Sequence, residues 1–448
     1  MYPNPQDALP LPSRPNVEQY KKLAKDLVRA CTSGDSAATR AWAATWIHTL
    51  ASLHGEPDAL RENEITERVE QVDQFARSKL RSGERSGSAC KLTDAQFVIA
   101  RAHGFRSWPA FVEHIESLAH SDSRISTFEA AAQAIVSGDV ATLQRLLREQ
   151  PELIRARSTR DHNATLLHYV SANGVENYRQ VSPGNIAEIT KILLAAGADV
   201  DAEADVYGGG CTPLGLVATS APPAIAGVQQ GVMDVLLEHG ARLDRNGAGG
   251  SQQSLVRACL SNGQPAAAAY LASRGARVDL PGAAGLGRLD LVRGLINHDR
   301  GLVANMAATI VKQAFSLACA YGRFDVVEFF LDLNFNVDEE LKGHGEGHTG
   351  LHVAAYHGHA EVVQTLLRRG ARVDLIDKTW GTPPLIWALT GWSSRKNTDA
   401  RYYDVVAHLV AAGAIVKPEL LEWDRVLEDA RMLAALRQAA GGHRQLDS

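Results

Sequence analysis

The chain predicts an all-α protein, most of it a solenoid of stacked helix-turn-helix units. Three observations predict it. One pattern recurs at a spacing of about 33 residues through the last two-thirds of the 448 residues, each copy reads as two short helices parted at a glycine, and a separate run of helical periodicity precedes the copies. The composition is that of a folded chain: 45% hydrophobic and 22% charged residues lie well away from sequences too polar to bury a core.

Residues 1–15, MYPNPQDALPLPSRP, hold prolines that forbid a helix and lack the basic start and unbroken apolar run of a secretory signal, so they read as a flexible arm. Residues 16–120 read as a helical module. It opens with NVEQYKKLAKDLVRACTSGD, where Val17, Tyr20, Leu23, Leu27 and Val28 keep helical spacing. It closes with LTDAQFVIARAHGFRSWPAFVEHIESLA, where Thr93 or Asp94 can cap one helix, Gly104 ends it, and Ser107 before Trp108 and Pro109 starts another. A serine-rich junction near Ser121–Ser126 leads into the repeats.

The clearest repeat is TGLHVAAYHGHAEVVQTLLRRGARVDLIDKTWG, 33 residues from Thr349 to Gly381. Small Ala354 and Ala355 let a first helix lie close to its neighbours, Gly358 ends it, and Val362, Val363, Leu366 and Leu367 form the apolar stripe of a second helix that Gly370 ends. Such a pair cannot bury its stripe alone, so pairs must stack, with the polar stretch between them projecting as a turn. About eight copies fill residues 126–417, that from Ala283 being short and without a clear opening turn. Gly287, Gly322, Gly358 and Gly391, read as the glycines closing the first helices, are spaced by 35, 36 and 33 residues. Two copies carry insertions between their helices, VENYRQVSPGNIA from Val175 and WSSRKNTDARYY from Trp392. After the array, 418–448 should form one capping helix and a tail.

These residues closely resemble the ankyrin repeat, whose Thr-Pro-Leu-His opening stands here as Thr349, Gly350, Leu351 and His352. The resemblance covers roughly Ser126 to Lys417. It implies L-shaped units with β-turn fingers, a concave groove, and protein binding as the usual role. Residues 16–120 resemble a helical module that precedes the array in bacterial ankyrin-repeat proteins and has no assigned activity.

Other chemistry is weighed against the bland reading of the same residues. A net charge of -5 argues against a nucleic-acid footprint, and the helix after Ser107 offers apolar residues where bases would be read. Five scattered cysteines, Cys31, Cys90, Cys211, Cys259 and Cys319, suggest a reducing compartment and no redox pair, and no stretch approaches the roughly 18 apolar residues that span a bilayer, so the expected address is the cytoplasm, off the membrane. His344, His348, His352, His357 and His359 are dense enough to suggest Zn²⁺ or Ni²⁺, but they fit turn-bonding positions of the repeat better. The Tyr207–Gly215 run, YGGGCTPLG, lacks the Gly-Lys-Ser/Thr of a phosphate loop and reads as a widened turn. Glu339/Glu340 and Asp199/Asp201 read as solvated charge.

The expectation is therefore a monomeric, non-catalytic scaffold for a protein partner, with no cofactor and no metal. Its contact residues would be Tyr169, Asn173, Tyr178, Arg179, Tyr207, Tyr356, His357, Trp380 and Trp392, since Tyr, Trp and Arg dominate binding hot spots, while Trp387 belongs to the core. The alternatives are a small-molecule or metal-dependent pocket between 175–187 and 207–215, with Tyr178, Arg179, Tyr207 and His168 converging in it, and nucleic-acid binding by the N-terminal module.

Overall fold

The computed structural model describes residues 4–33, 35, 37–53, 59–80, 90–243, 253–298, 308–343, 345–394 and 401–437. His344 and residues 395–400 of the second insertion lie outside them. Among the described residues the fold is all-α, joined by one short antiparallel hairpin, Leu341–Gly343 with Gly345–His348. Two compact units divide the chain, residues 1–255 and 256–448.

The first unit begins with helices Val17–Thr32, Ala38–Leu53, Ala59–Leu80, Leu92–Ala102 and Trp108–Leu118. Asn16 accepts the Glu18 amide at the first start, and Ser107 accepts the Ala110 amide at the last, as helix-capping chemistry favours. The helices close on Tyr20, Leu27, Trp46, Val98, Ile99, Phe105 and Phe111. Gly104 turns the chain at φ 83°.

Two expectations fail here. The N-terminal arm is not free, because Ala8 and Leu9 are buried, the Leu9 amide donates to the Ala102 carbonyl at 2.8 Å, and the Leu9 carbonyl lies 2.9 Å from His103 Nδ1. Apolar Ala-Leu at the centre of the proline run is what docks it. Cys31 and Cys90 do pair. A disulfide joins them with Cα atoms 6.3 Å apart, since the helix packing brings together positions 59 residues apart in sequence.

Three helix pairs complete this unit: Arg124–Ser137 with Val140–Glu149, the 3₁₀ turn Leu166–Ser171 with Ile186–Ala195, and Pro213–Ala218 with Gln229–Glu238. Gly138 at φ 78° ends one helix and Asp139 caps the next by accepting the Thr142 amide.

In the second unit the pairs are Leu255–Ser261 with Pro265–Ser273, Leu280–Leu286 with Leu289–His298, Thr309–Ala320 with Phe324–Asp332, Gly350–His357 with Ala360–Arg368, and Pro384–Ser394 with Tyr402–Ala411. The first of these begins one residue before the unit boundary. The copy that seemed to lack an opening turn has one: Asp279 accepts the Gly282 amide, with Pro281 in the first helical turn.

Gly391 does not close a helix; it lies inside Pro384–Ser394. Its reason is proximity, since a Cβ there would penetrate the Tyr356 carbonyl oxygen of the neighbouring first helix. The C-terminal segment is three short helices rather than one: Pro418–Leu421, Asp424–Leu427 and Ala430–Arg437. The break before the last falls at Asp429, whose carboxylate accepts the amides of Arg431 and Met432.

A clamp repeats between fingers. Asp201 accepts the Arg242 amide at 3.1 Å and its Nε at 2.6 Å. Asp338 does the same to Arg372, at 3.0 Å for both. Asp374 meets only an amide, that of Ile415, at 3.2 Å. The two ion pairs, whose arginines are exposed, add little stability, about 0–1 kcal/mol each.

Candidate functional site

A concavity of the second unit is built on a turn. Asp377 is 1% exposed. One of its oxygens accepts the amides of Thr379 and Trp380 at 2.9 and 2.6 Å; the other accepts the Thr382 amide and hydroxyl at 2.9 and 2.8 Å and the Trp387 indole N–H at 3.2 Å. Burial pushes this carboxyl up, yet the donors outweigh burial and hold it well below the usual carboxylate range.

The turn thereby fixes Trp380 beside Trp387, ring centroids 5.3 Å apart and planes at 67°. Tyr356, one helix back, meets Trp387 at 6.0 Å and 79°. Between these rings opens a cavity of about 510 Å³, completed by Val353, His357, Thr382, Ile386 and Thr390. Trp380 is 58% exposed at its rim.

Of the nine residues expected to bind a partner, Tyr356, His357 and Trp380 come together here. Trp387, expected as core, is buried but also walls the cavity. Trp392 is elsewhere, packed edge-on to Trp423 at 6.0 Å. Asp377 escaped sequence reasoning, although Asp-Lys-Thr-Trp-Gly carries the signal of a carboxylate that binds the amides just after it.

The five remaining residues lie in the first unit, and most are engaged internally. Tyr169 is fully buried, which removes it from any contact surface. Arg179 is buried as well, its guanidinium 2.7 Å from Glu129 and 3.5 Å from Glu176. Arg160, 2% exposed, lies 2.8 Å from Glu129 and 3.0 Å from Glu176, and donates to the Tyr178 hydroxyl at 3.2 Å. Burial pushes Glu129 and Glu176 up, but the two guanidiniums prevail and keep both ionised.

Tyr207, left-handed at φ 51°, puts its hydroxyl 2.5 Å from Gln6 and 2.8 Å from Asn173. The four groups expected to converge in one pocket are therefore divided. Tyr178 and Arg179 join the ion network, Tyr207 turns to Gln6 and Asn173, and His168 bonds the Cys211 carbonyl at 3.2 Å. Glu129, Arg160 and Glu176 were missed, because nothing in an alanine-rich helix or a turn marks a residue as one member of a quartet.

His168, His352 and His359 bond the backbone of turns and neighbouring helices. His352 Nδ1 accepts the Thr349 amide at 3.1 Å, while its Nε2–H donates to the Leu375 carbonyl at 3.0 Å. His168 repeats this with Thr165 and Cys211, and His359 Nε2 lies 2.8 Å from the Ala320 carbonyl. Burial, outweighing these carbonyls, lowers His168 and His352 to about 4. Their unfolded value is about 6.5.

As pH falls from about 6.5 to about 4, the unfolded chain therefore binds protons that the folded chain refuses, and stability falls across that window before these groups level off. Denaturation midpoints measured from pH 7.5 to 4 should decline, each histidine contributing a slope of up to one proton. A midpoint that stays level through the window would refute this.

Residues 282–377 and 315–417 match the family model for ankyrin repeats in three copies, and this stretch is built of ankyrin repeats. The serine/threonine-protein kinase TNNI3K of Mus musculus is 47% identical over 60 residues, which cover 13% of this chain and 7% of the kinase. Its counterpart in Rattus norvegicus is 47% identical over 53 residues, covering 12% and 6%. The similarity thus spans under a tenth of those kinases. The crystal structure of the human ASB11 ankyrin repeat domain is similar over 64% of this chain and 99% of that one, with 18% identity and a TM-score of 0.32.

Proposed function

We propose that the chain is a non-catalytic scaffold that binds a protein partner through the aromatic groove at Tyr356, His357, Trp380 and Trp387. The observation that carries this is the cavity of about 510 Å³ on the ankyrin stretch, walled by two tryptophans and a tyrosine and held open by a satisfied turn. Aromatic side chains in a preformed concavity offer large contact area at little ordering cost. Three buried thiols outside any disulfide, Cys211, Cys259 and Cys319, support work in a reducing compartment; the Cys31–Cys90 pair speaks against it.

The test is capture from native extract by the full chain and by a Trp380→Ala variant checked for native circular dichroism. A hot-spot truncation costs about 2 kcal/mol or more, roughly 30-fold in affinity. A partner held by the parent should therefore be lost by the variant. Equal retention by both would move the binding face away from this groove.

A further inference from the structure

The groove's chemistry narrows what enters it, and this step rests on the groove being the docking site. Its lining carries no Lys, Arg, Asp or Glu. Directly behind it lies the Asp377 carboxylate, buried, with five neutral donors around it and four of them belonging to the lining residues Trp380, Thr382 and Trp387. Lys378, its neighbour in sequence, turns away to Glu340 at 2.6 Å.

An anion sheltered from water and met by dipoles alone leaves a negative potential on the side its donors face, screened less than that of a surface charge. The Trp387 indole transmits that field, since its N–H points at the carboxylate and its ring stands toward the cavity. Aromatic faces add negative quadrupole potential of the same sign. The rings at 67° and 79° to Trp387 form the corner of a box rather than a flat wall.

We propose that the groove binds a lysine side chain of a basic peptide segment in a protein partner, its ammonium, bare or N-methylated, lying against Trp380, Trp387 and Tyr356. A desolvated cation against such rings gains about 2 kcal/mol, and methylation reduces the hydration that must be lost. A carboxylate would meet the Asp377 field unpaired and is rejected. The chain's overall charge of -5 draws a basic segment toward it.

The test titrates the full chain calorimetrically with five-residue alanine peptides whose central residue is lysine, trimethyllysine, its uncharged tert-butyl isostere, or glutamate. The trimethyllysine peptide should bind about 10- to 30-fold tighter than the isostere, which has the same shape without the charge; the glutamate peptide should not bind. Trp380→Leu keeps apolar bulk at an exposed position and should abolish the preference, with Tyr356→Leu as the second variant. If the isostere binds as tightly as the cation, the cation assignment fails and the docking groove stands. Binding to none of the four up to millimolar concentration overturns both.

Discussion

Arg160→Ala should destabilise residues 1–255 by about 3–5 kcal/mol, the range for removing one partner of a buried ion pair. The guanidinium is 2% exposed and serves Glu129, Glu176 and the Tyr178 hydroxyl together. Without it Glu176, fully buried, keeps only Arg179 at 3.5 Å and His162 at 3.5 Å. The penalty is that of an underpaired buried carboxylate more than of a lost attraction. Pairing the change with Glu176→Leu, which removes that charge too, should therefore return much of the loss.

Arg160 also lies over the Phe105 ring at 5.3 Å, and the adjacent Asp161 amide donates to the Gly104 carbonyl at 2.8 Å. His114 Nδ1 is 2.8 Å from the Thr159 hydroxyl. Amide exchange should thus quicken across residues 100–118 as well as in the first helix pairs. Urea denaturation and hydrogen exchange measure both. A loss below about 1 kcal/mol would place the network with exposed ion pairs.

Gly391→Ala should also destabilise, against the direction that helix propensity alone predicts. In an exposed helix interior the change gains about 1 kcal/mol. Here the new Cβ meets a backbone carbonyl, that of Tyr356, which no rotamer change can move aside. Two helices must part, and overpacking of this kind costs about 1–3 kcal/mol. The displaced residue lines the groove, so thermal midpoint and peptide affinity should fall together. A rise in the midpoint would show that the helices have room to spare.

The fold was legible wherever one residue's role is local. Thr349 with His352, Gly358 and the Val362–Leu367 stripe declare a helix pair by themselves, and Ser107 with Pro109 declares a helix start. Gly391 shows the limit: its spacing counted it among the helix-closing glycines, but it lies inside Pro384–Ser394, because spacing cannot separate a glycine needed for positive φ from one needed to admit a neighbour. The site was read in part for a similar reason. Tyr356, His357 and Trp380 are conspicuous aromatic or polar residues near a finger and are found by type. Tyr169 and Arg179 are equally conspicuous by type, but they are buried by partners distant in sequence, Glu129 among them. Asp377 acts through an Asx-type turn whose signal is plain only once the turn is known to support two tryptophans.

The Asp201–Arg242, Asp338–Arg372 and Asp374–Ile415 clamps have a consequence for how such a chain can change its length. Each joint asks the same thing of the next copy, a backbone amide at one finger position, with the guanidinium as an optional extra, as Ile415 shows. Interchangeable joints tolerate duplication or loss of a whole copy, because any copy satisfies any predecessor. The quartet of Glu129, Arg160, Glu176 and Arg179, with Gln6, Asn173 and Tyr207, has no such generality, for each member answers particular side chains rather than a backbone position. Gain or loss of a whole repeat should therefore be tolerated best among the copies joined by Asp338–Arg372 and Asp374–Ile415 and resisted among those that hold the quartet.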